Sequence, residues 1–148
     1  MILALGQRRL LADQGVELVR GDLEDVSSLE AAVRGVHGVY SVQDFWAVGA
    51  KREVAQGNNL VDAAKRAGVE QFVYSSVGGA ERNTGTDHWD SKWEIEKHIR
   101  QLGLPATVLR PVAFMEGYYG NRSRSESFRA NSCIRSAPIS HTRQLHRR

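Results

Sequence analysis

The chain has 148 residues, of which 41% are hydrophobic and 25% are charged, a composition typical of one globular domain. It contains no run of about 20 apolar residues, as a membrane-spanning helix would need, and its opening apolar run is too short for a secretory signal. Its only cysteine is Cys133, which excludes an internal disulfide, and no cluster of histidine or cysteine has metal-ligand spacing. We therefore expect a cytoplasmic protein without a metal centre.

The net charge of +3 is distributed unevenly along the chain. Residues 1–120 contain 13 basic and 16 acidic side chains, whereas residues 121–148 contain seven arginines against Glu126 alone. Phe128 is the only aromatic residue of this basic segment, so the segment lacks the aromatic pattern of a single-strand binder. We predict a disordered tail over residues 121–148, with phosphate contacts on nucleic acid as the less favoured alternative.

Between residues 16 and 109 the sequence alternates β-rich runs with helical stripes. The pattern predicts strands at 16–19, 39–42, 71–77 and 107–109, and helices at 27–36, 53–66 and 91–102. Ser27 and Glu30 match a capping box at the start of the first of these helices, and residues 44–50 are predicted to form a loop. Because helices separate successive strands, we predict an α/β fold with a mostly parallel sheet and helices on both faces.

In such a sheet, ligands bind beyond the carboxyl ends of the strands. Four segments lie at or just beyond the carboxyl ends of predicted strands, so we expect them to face one crevice. They are Gly21-Asp22-Leu23, Ser41-Val42-Gln43, Ser75-Ser76-Val77 and Pro111-Val112-Ala113-Phe114.

Four stretches of the chain, taken together, resemble the NmrA-like family of atypical short-chain dehydrogenases/reductases. They are GVELVRGDLED, GVYSV, NNLVDAAKRAGVEQFVYSSVGGAE and DSKWEIEKHIRQLGLPATVLRPVAFMEG, and the likeness runs over residues 14–120. The resemblance implies a Rossmann-type fold that binds NADP or NAD, with NADP favoured. It also implies a redox sensor or regulatory binder, since many relatives have that role while others are reductases.

The chain departs from the family pattern at its start. A family member would begin with a strand, a glycine-rich turn and a helix, whose backbone amides hold the pyrophosphate. Neither GxGxxG nor GxxGxxG occurs in this sequence, in which the first glycines are Gly6, Gly15 and Gly21. We therefore expect a partial NAD(P)-binding domain over residues 1–120, with dinucleotide binding weakened by the missing turn.

The candidate catalytic residues are His88 and Lys92. Short-chain dehydrogenases use a Tyr-x-x-x-Lys pair, in which the ammonium lowers the pKa of the phenol for proton exchange. Lys92 matches the lysine, but His88 stands where the tyrosine would be. A histidine could exchange protons, although a neighbouring cation disfavours its charged form. We therefore predict an exposed loop histidine without a catalytic role, and proton transfer through His88 is the alternative.

The resemblance places the cofactor contacts in the crevice. Lys92 would hydrogen-bond the nicotinamide ribose, Asp22 would accept from the adenine amino group, and Phe114 would pack near the nicotinamide. Each has a plainer interpretation: a solvated lysine in the first turn of a helix, an acidic loop before a helix, and a core aromatic residue. The complete set of predicted cofactor contacts is Asp22, Leu23, Ser41, Val42, Gln43, Ser75, Ser76, Lys92, Pro111, Val112 and Phe114.

Sequence alone thus predicts an NmrA-like NAD(P)-binding protein that senses redox state or regulates a protein partner, without dehydrogenase activity. One alternative is an atypical NAD(P)H-dependent oxidoreductase. Another is an interaction module that binds no nucleotide and uses an exposed sheet edge or the basic tail. No membrane association and no nucleic-acid partner are expected.

Overall fold

A computed structural model describes residues 10–112 and 134–135 of the chain. Residues 10–13 are helical, and the elements that follow alternate between strand and helix up to residue 109. In chain order they are β1 (Glu17–Leu18), α1 (Val26–Val33), β2 (Gly38–Ser41), α2 (Phe45–Arg66), β3 (Gln71–Ser75), a 3₁₀ turn (Ala80–Arg82), α3 (Asp87–Gln101), β4 (Ala106–Leu109) and β5 (Ile134–Arg135).

The sheet that organises the fold is parallel. Its strand order is β2-β3-β4, with Ser41 opposite Tyr74 and Ser75 opposite Leu109. Helices α2 and α3 make the two crossovers, so the predicted α/β class with a parallel sheet is confirmed. Strand β1 lies outside this sheet and pairs antiparallel with β5, which falls within the segment predicted to be disordered.

One hydrophobic core lies between this sheet and the three helices α1 to α3. Both crossovers step along the sheet in the same direction, which places α2 and α3 on the same face. Tyr40 and Leu109 on the strands remain 58% and 46% exposed. Among the described residues the second face of the sheet is therefore open. The core consists of Leu29, Val33, Val39, Leu60, Val61, Ala63, Ala64, Val69, Phe72, Tyr74, Ile95, Ile99 and Leu104.

The predicted starts of the three helices differ from the structure. Helix α1 is capped by Asp25, which accepts from the Ser27 and Ser28 amides, so the predicted capping box at Ser27 is wrong. Helix α2 begins eight residues earlier than predicted, because the Asp44 carboxylate caps it and Gly49 absorbs a break at φ 75°.

The third difference changes the candidate site. Helix α3 begins at Asp87, so His88 lies in its first turn and not in a loop. Lys92 consequently lies in the second turn, where it faces α2 and is buried.

Candidate functional site

A buried ion pair joins α2 to α3 near the carboxyl end of β2. The Lys92 ammonium lies 2.7 Å from Glu53 Oε1, and the side chains are 5% and 0% exposed. A lone buried charge would cost several kcal/mol, so each of these groups depends on the other. The plainer interpretation of Lys92 as a solvated lysine is therefore excluded.

Further hydrogen bonds extend this pair into a cluster of five residues. The Ser91 hydroxyl donates to Glu53 Oε2, and the Lys92 ammonium donates to the backbone carbonyl of Gln43 over 3.1 Å. The Gln43 amide in turn donates to the Ser41 hydroxyl over 2.9 Å. We call these residues, Ser41, Gln43, Glu53, Ser91 and Lys92, the Lys92 cluster. Among the described residues the Lys92 ammonium donates one hydrogen bond, to the Gln43 carbonyl, and forms an ion pair with Glu53 Oε1, so it retains an N–H donor for a ligand.

The ring of Tyr74 lies next to the Lys92 cluster. The Lys92 ammonium lies 5.9 Å from the centre of its ring. The phenol hydroxyl is buried and has no hydrogen-bond partner among the described residues. Burial, followed by the negative charges of Glu53 and Glu96, raises the pKa of Tyr74 far above its usual value. Tyr74 therefore remains a neutral phenol and is not poised to exchange protons.

His88 is half-buried beside two aromatic rings. Its ring centre lies 4.9 Å from that of Phe45 and 5.4 Å from that of Trp46, both in the first turn of α2. Burial, helped by the charge of Lys92 and opposed by that of Glu53, holds the pKa of His88 below its usual value. His88 is thus a packed, neutral imidazole, and the predicted exposed loop histidine is wrong.

A second charged group, centred on Glu96, ties the chain after β4 to α3. The buried Glu96 carboxylate accepts from Arg110 Nη2 at 2.6 Å and Nε at 2.9 Å, and from Arg100 Nη2 at 2.8 Å. Burial, the largest single effect, would raise the pKa of Glu96, but the hydrogen bonds to its carboxylate and the charges of Arg110 and Arg100 together outweigh it and keep that pKa below its usual value. Glu96 therefore anchors the Arg110-Pro111 segment.

The predicted crevice residues are only partly brought together. Ser41, Gln43 and Lys92 meet in the Lys92 cluster. Val42 and Ser75 are half-buried, and Ser76 is buried directly after β3. Pro111 is exposed, Val112 is 88% exposed, and Phe114 lies outside the described residues.

Asp22 and Leu23 contact a different part of α2. The Asn59 side-chain amide donates to the Leu23 carbonyl over 3.0 Å, and the Asp22 carboxylate accepts from the Glu24 amide over 2.9 Å. Asn59 is six residues beyond Glu53, or about 9 Å along the helix axis. The structure thus places Asp22 in the acidic loop before α1, and its contact with adenine stays a prediction.

Glu53 and Ser91 are the two members of the Lys92 cluster that the sequence prediction omits, and Glu53 is the charged one. It lies at positions i, i+4, i+7 and i+11 with Gly57, Leu60 and Ala64, all of which are buried on α2. An acidic side chain on the buried stripe of a helix was the available signal. Within the described residues no helix is long and apolar enough to cross a membrane, and no group of three acidic, histidine or cysteine residues could hold a metal ion.

The parallel sheet, its crossover helices and the polar cluster at a strand end define a Rossmann-type protein of the NAD(P)-binding class. Residues 6–142 match the NmrA-like family, and the chain belongs to that family. The match confirms the resemblance. It also continues past Gly120, where the predicted likeness ends, into the arginine-rich segment.

Relatives of this chain include both regulators and reductases. It is 36% identical over 85 residues to the nitrogen metabolite repression protein nmrA of Emericella nidulans, covering 49% of this chain and 20% of that protein. It is 31% identical over 108 residues to the NAD(P)H azoreductase of Xenophilus azovorans, covering 73% and 36%. Among solved structures, the NADPH complex of the quinone oxidoreductase QOR2 from Escherichia coli matches with a TM-score of 0.68 and 28% identity, covering 78% and 40%. The chain thus spans between a fifth and two fifths of these relatives.

The Lys92 cluster fits one part of a nicotinamide dinucleotide. Gln43 is 4% exposed and its Oε1 has no hydrogen-bond partner among the described residues, while Lys92 has an unused N–H. An acceptor beside a donor suits a ribose diol, since each hydroxyl both donates and accepts. Residues 10–112 contain no glycine-rich turn of the kind that holds a pyrophosphate. The fit therefore concerns the nicotinamide riboside half.

Proposed function

We propose that this protein binds NADP or NAD and acts as a redox-responsive regulatory binder, without dehydrogenase activity. The observation that carries the proposal is the state of the Lys92 ammonium. It is buried, neutralised by Glu53 and held by the Gln43 carbonyl, so it can donate to a ligand but has no proton-exchanging partner beside it within the described part of the chain.

The binding half of the proposal rests on the Lys92 cluster. Lys92 and Gln43 would hold the nicotinamide ribose through one donor and one acceptor. The bound dinucleotide would supply hydride chemistry, but the residues described here only orient it. The NADPH complex of QOR2 supports a nicotinamide cofactor, and NADP is favoured over NAD on that basis.

The non-catalytic half rests on the groups around Lys92. One helical turn before Lys92, where a dehydrogenase would have its tyrosine, stands His88, whose lowered pKa and ring contacts keep it neutral and packed. Tyr74, the phenol closest to the ammonium in the cluster, has a raised pKa and is buried. The regulatory relative from Emericella nidulans supports a sensing role.

Calorimetric titration of the chain with NADPH and NADH tests the binding. We expect saturable binding with a dissociation constant in the micromolar range or tighter. Lys92→Met should weaken it roughly 10-fold or more, because a hydrogen bond from a charged donor contributes about 1.5–3 kcal/mol. The matched control is Lys97→Met, which removes an exposed lysine that pairs with Glu94 on the same helix, and it should leave the affinity unchanged. A chain that is folded by circular dichroism but binds neither dinucleotide would contradict the proposal.

The second candidate is an NAD(P)H-dependent oxidoreductase, which the likeness to the azoreductase over 73% of this chain favours. Steady oxidation of NADPH with a panel of quinones, enones and azo compounds, lost in His88→Ala and Lys92→Ala, would support it. A flat trace from protein that binds NADPH would exclude it for those substrates.

A further inference from the structure

We propose that Glu53 is a positioning residue for Lys92: it fixes the ammonium and cancels its charge, so that the site prefers the neutral ribose hydroxyls of a dinucleotide to a phosphate. The inference rests on the proposed dinucleotide binding and adds to it a residue and a selectivity.

The first step is the rigidity of the Glu53 carboxylate. The Ser91 hydroxyl donates a hydrogen bond to Oε2, and the Lys92 ammonium lies 2.7 Å from Oε1 as an ion pair without hydrogen-bond geometry. These two partners are consecutive residues of α3, and the Glu53 side chain is fully buried. A carboxylate held at both oxygens by one rigid helix cannot rotate freely, so it fixes where the ammonium lies.

The second step is charge. Two opposite unit charges 2.7 Å apart at a buried site form a pair that is neutral as seen from a distance. An unpaired ammonium near a strand end would attract phosphate, whereas the neutralised one presents an N–H donor without net charge. Gln43, whose backbone carbonyl accepts from Lys92, also has a buried side-chain oxygen without a partner in the described residues. The combination suits a diol better than an anion.

The third step separates this role from that of an ordinary ion pair. Glu94 and Lys97 on α3 also pair at 2.7 Å, but their side chains are 54% and 42% exposed, where water screens the charges. Removing a charge from that pair alters the surface only. Removing the charge of Glu53 would leave a buried ammonium available to an anion.

The experiment compares Glu53→Gln, which keeps the shape but removes the charge, with Glu53→Asp, which keeps the charge but shortens the side chain. Glu94→Gln is the matched control. For each protein we would measure the NADPH dissociation constant with and without inorganic phosphate at constant ionic strength. The fluorescence of bound NADPH at saturation reports the surroundings of the nicotinamide, which a purely structural role would leave unchanged.

We expect Glu53→Gln to weaken NADPH binding roughly 10-fold, to shift the emission of bound NADPH towards that of the free molecule, and to make binding sensitive to phosphate. Glu53→Asp should recover part of the affinity and remain insensitive to phosphate, and Glu94→Gln should behave as the unmodified chain. If Glu53→Gln does not fold, Ser91→Ala takes its place. That change frees one carboxylate oxygen, and we expect a smaller loss of about threefold with a partial emission shift.

The outcomes distinguish the two proposals. A folded, unmodified chain that does not bind NADPH would overturn the proposed function and this inference together. Unmodified protein that binds NADPH, with Glu53→Gln showing the same affinity, emission and response to phosphate, would overturn the role of Glu53 alone.

Discussion

Gly57 of α2 lies so close to Ile95 of α3 that a Cβ atom on Gly57 would be 2.5 Å from Ile95 Cδ1 and 2.7 Å from Ile95 Cγ1. Both residues are buried, and each lies one helical turn beyond a member of the Lys92 cluster, Glu53 on α2 and Ser91 on α3. The close approach of the two helices at Gly57 therefore also sets the separation at which Glu53 and Lys92 pair. A glycine in the middle of a helix costs some stability, and here it permits this contact.

We expect Gly57→Ala to destabilise the fold. The added methyl group must displace Ile95, an overpacking cost of about 1–3 kcal/mol, against which better helix propensity returns about 1 kcal/mol. Urea unfolding should show a net loss of up to about 2 kcal/mol, which Ile95→Val in the same chain should partly restore. Ala55→Gly, at an exposed position of α2, calibrates the propensity effect. A Gly57→Ala chain that is more stable than the unmodified chain, by the propensity effect calibrated at Ala55, would mean that the two helices are not in close contact.

Tyr74→Phe should leave the stability unchanged or raise it by up to about 1 kcal/mol. The change removes a buried hydroxyl that has no partner in the described part of the chain, so no hydrogen bond is lost and a desolvation penalty disappears. Thermal unfolding measures this effect. Since the pKa of Tyr74 is strongly raised, its phenolate should also be missing from the near-ultraviolet absorbance change that precedes alkaline unfolding. A clear loss of stability in Tyr74→Phe would reveal a partner for the hydroxyl.

Mild acid should destabilise the protein through His88. Burial lowers its pKa in the folded protein, so the unfolded chain binds the proton more readily below about pH 6.5. The stability associated with neutral His88 is complete above that pH and is lost as the pH falls through the lower, folded pKa. We expect urea unfolding of His88→Phe to depend less steeply on pH between about pH 7 and about pH 5. His37→Gln, a change at an exposed histidine, should retain the slope of the unmodified chain.

Stronger acid should act through Glu96. Its pKa is held below the usual glutamate value of about 4.3, so its contribution is present above that pH and is lost as the pH falls through the lower, folded pKa. At neutral pH we expect Glu96→Gln to cost about 1.5–3 kcal/mol, because charged hydrogen bonds from Arg110 and Arg100 are lost. Below about pH 4 the difference from the unmodified chain should shrink. Glu94→Gln, at an exposed position, should change stability little at either pH. A difference that persists in acid would show that Glu96 acts through packing and not through its charge.

Much of the fold could be predicted because its signals are local. The strands at residues 39–42, 71–77 and 107–109 were found to within two residues, since β-rich runs between helical stripes and glycines mark them. Helix starts were less predictable. Asp44 and Thr86 are the N-caps of α2 and α3, eight and four residues before the predicted caps, and the early start of α3 moved His88 from a loop into a helix.

The candidate site was predicted less completely than the fold. Ser41 and Gln43 were expected at the crevice because they lie at or just after the end of a parallel strand, and the family resemblance placed Lys92 there. Glu53 was missed, since no pattern within α2 shows which residue of α3 it faces. Its pairing depends on how closely two helices pack, and that is a property of side chains distant in the sequence.

Sequence patterns were sufficient to predict the class of fold, the family and the segments at the carboxyl ends of the strands, because periodicity and motif spacing are local properties of the chain. The folded arrangement was needed to show that Lys92 is buried, that Glu53 neutralises its charge and that His88 packs among aromatic rings. The physical reason is that burial and pairing depend on the approach of α2 and α3 at Gly57 and Ile95, which no local stretch of sequence specifies.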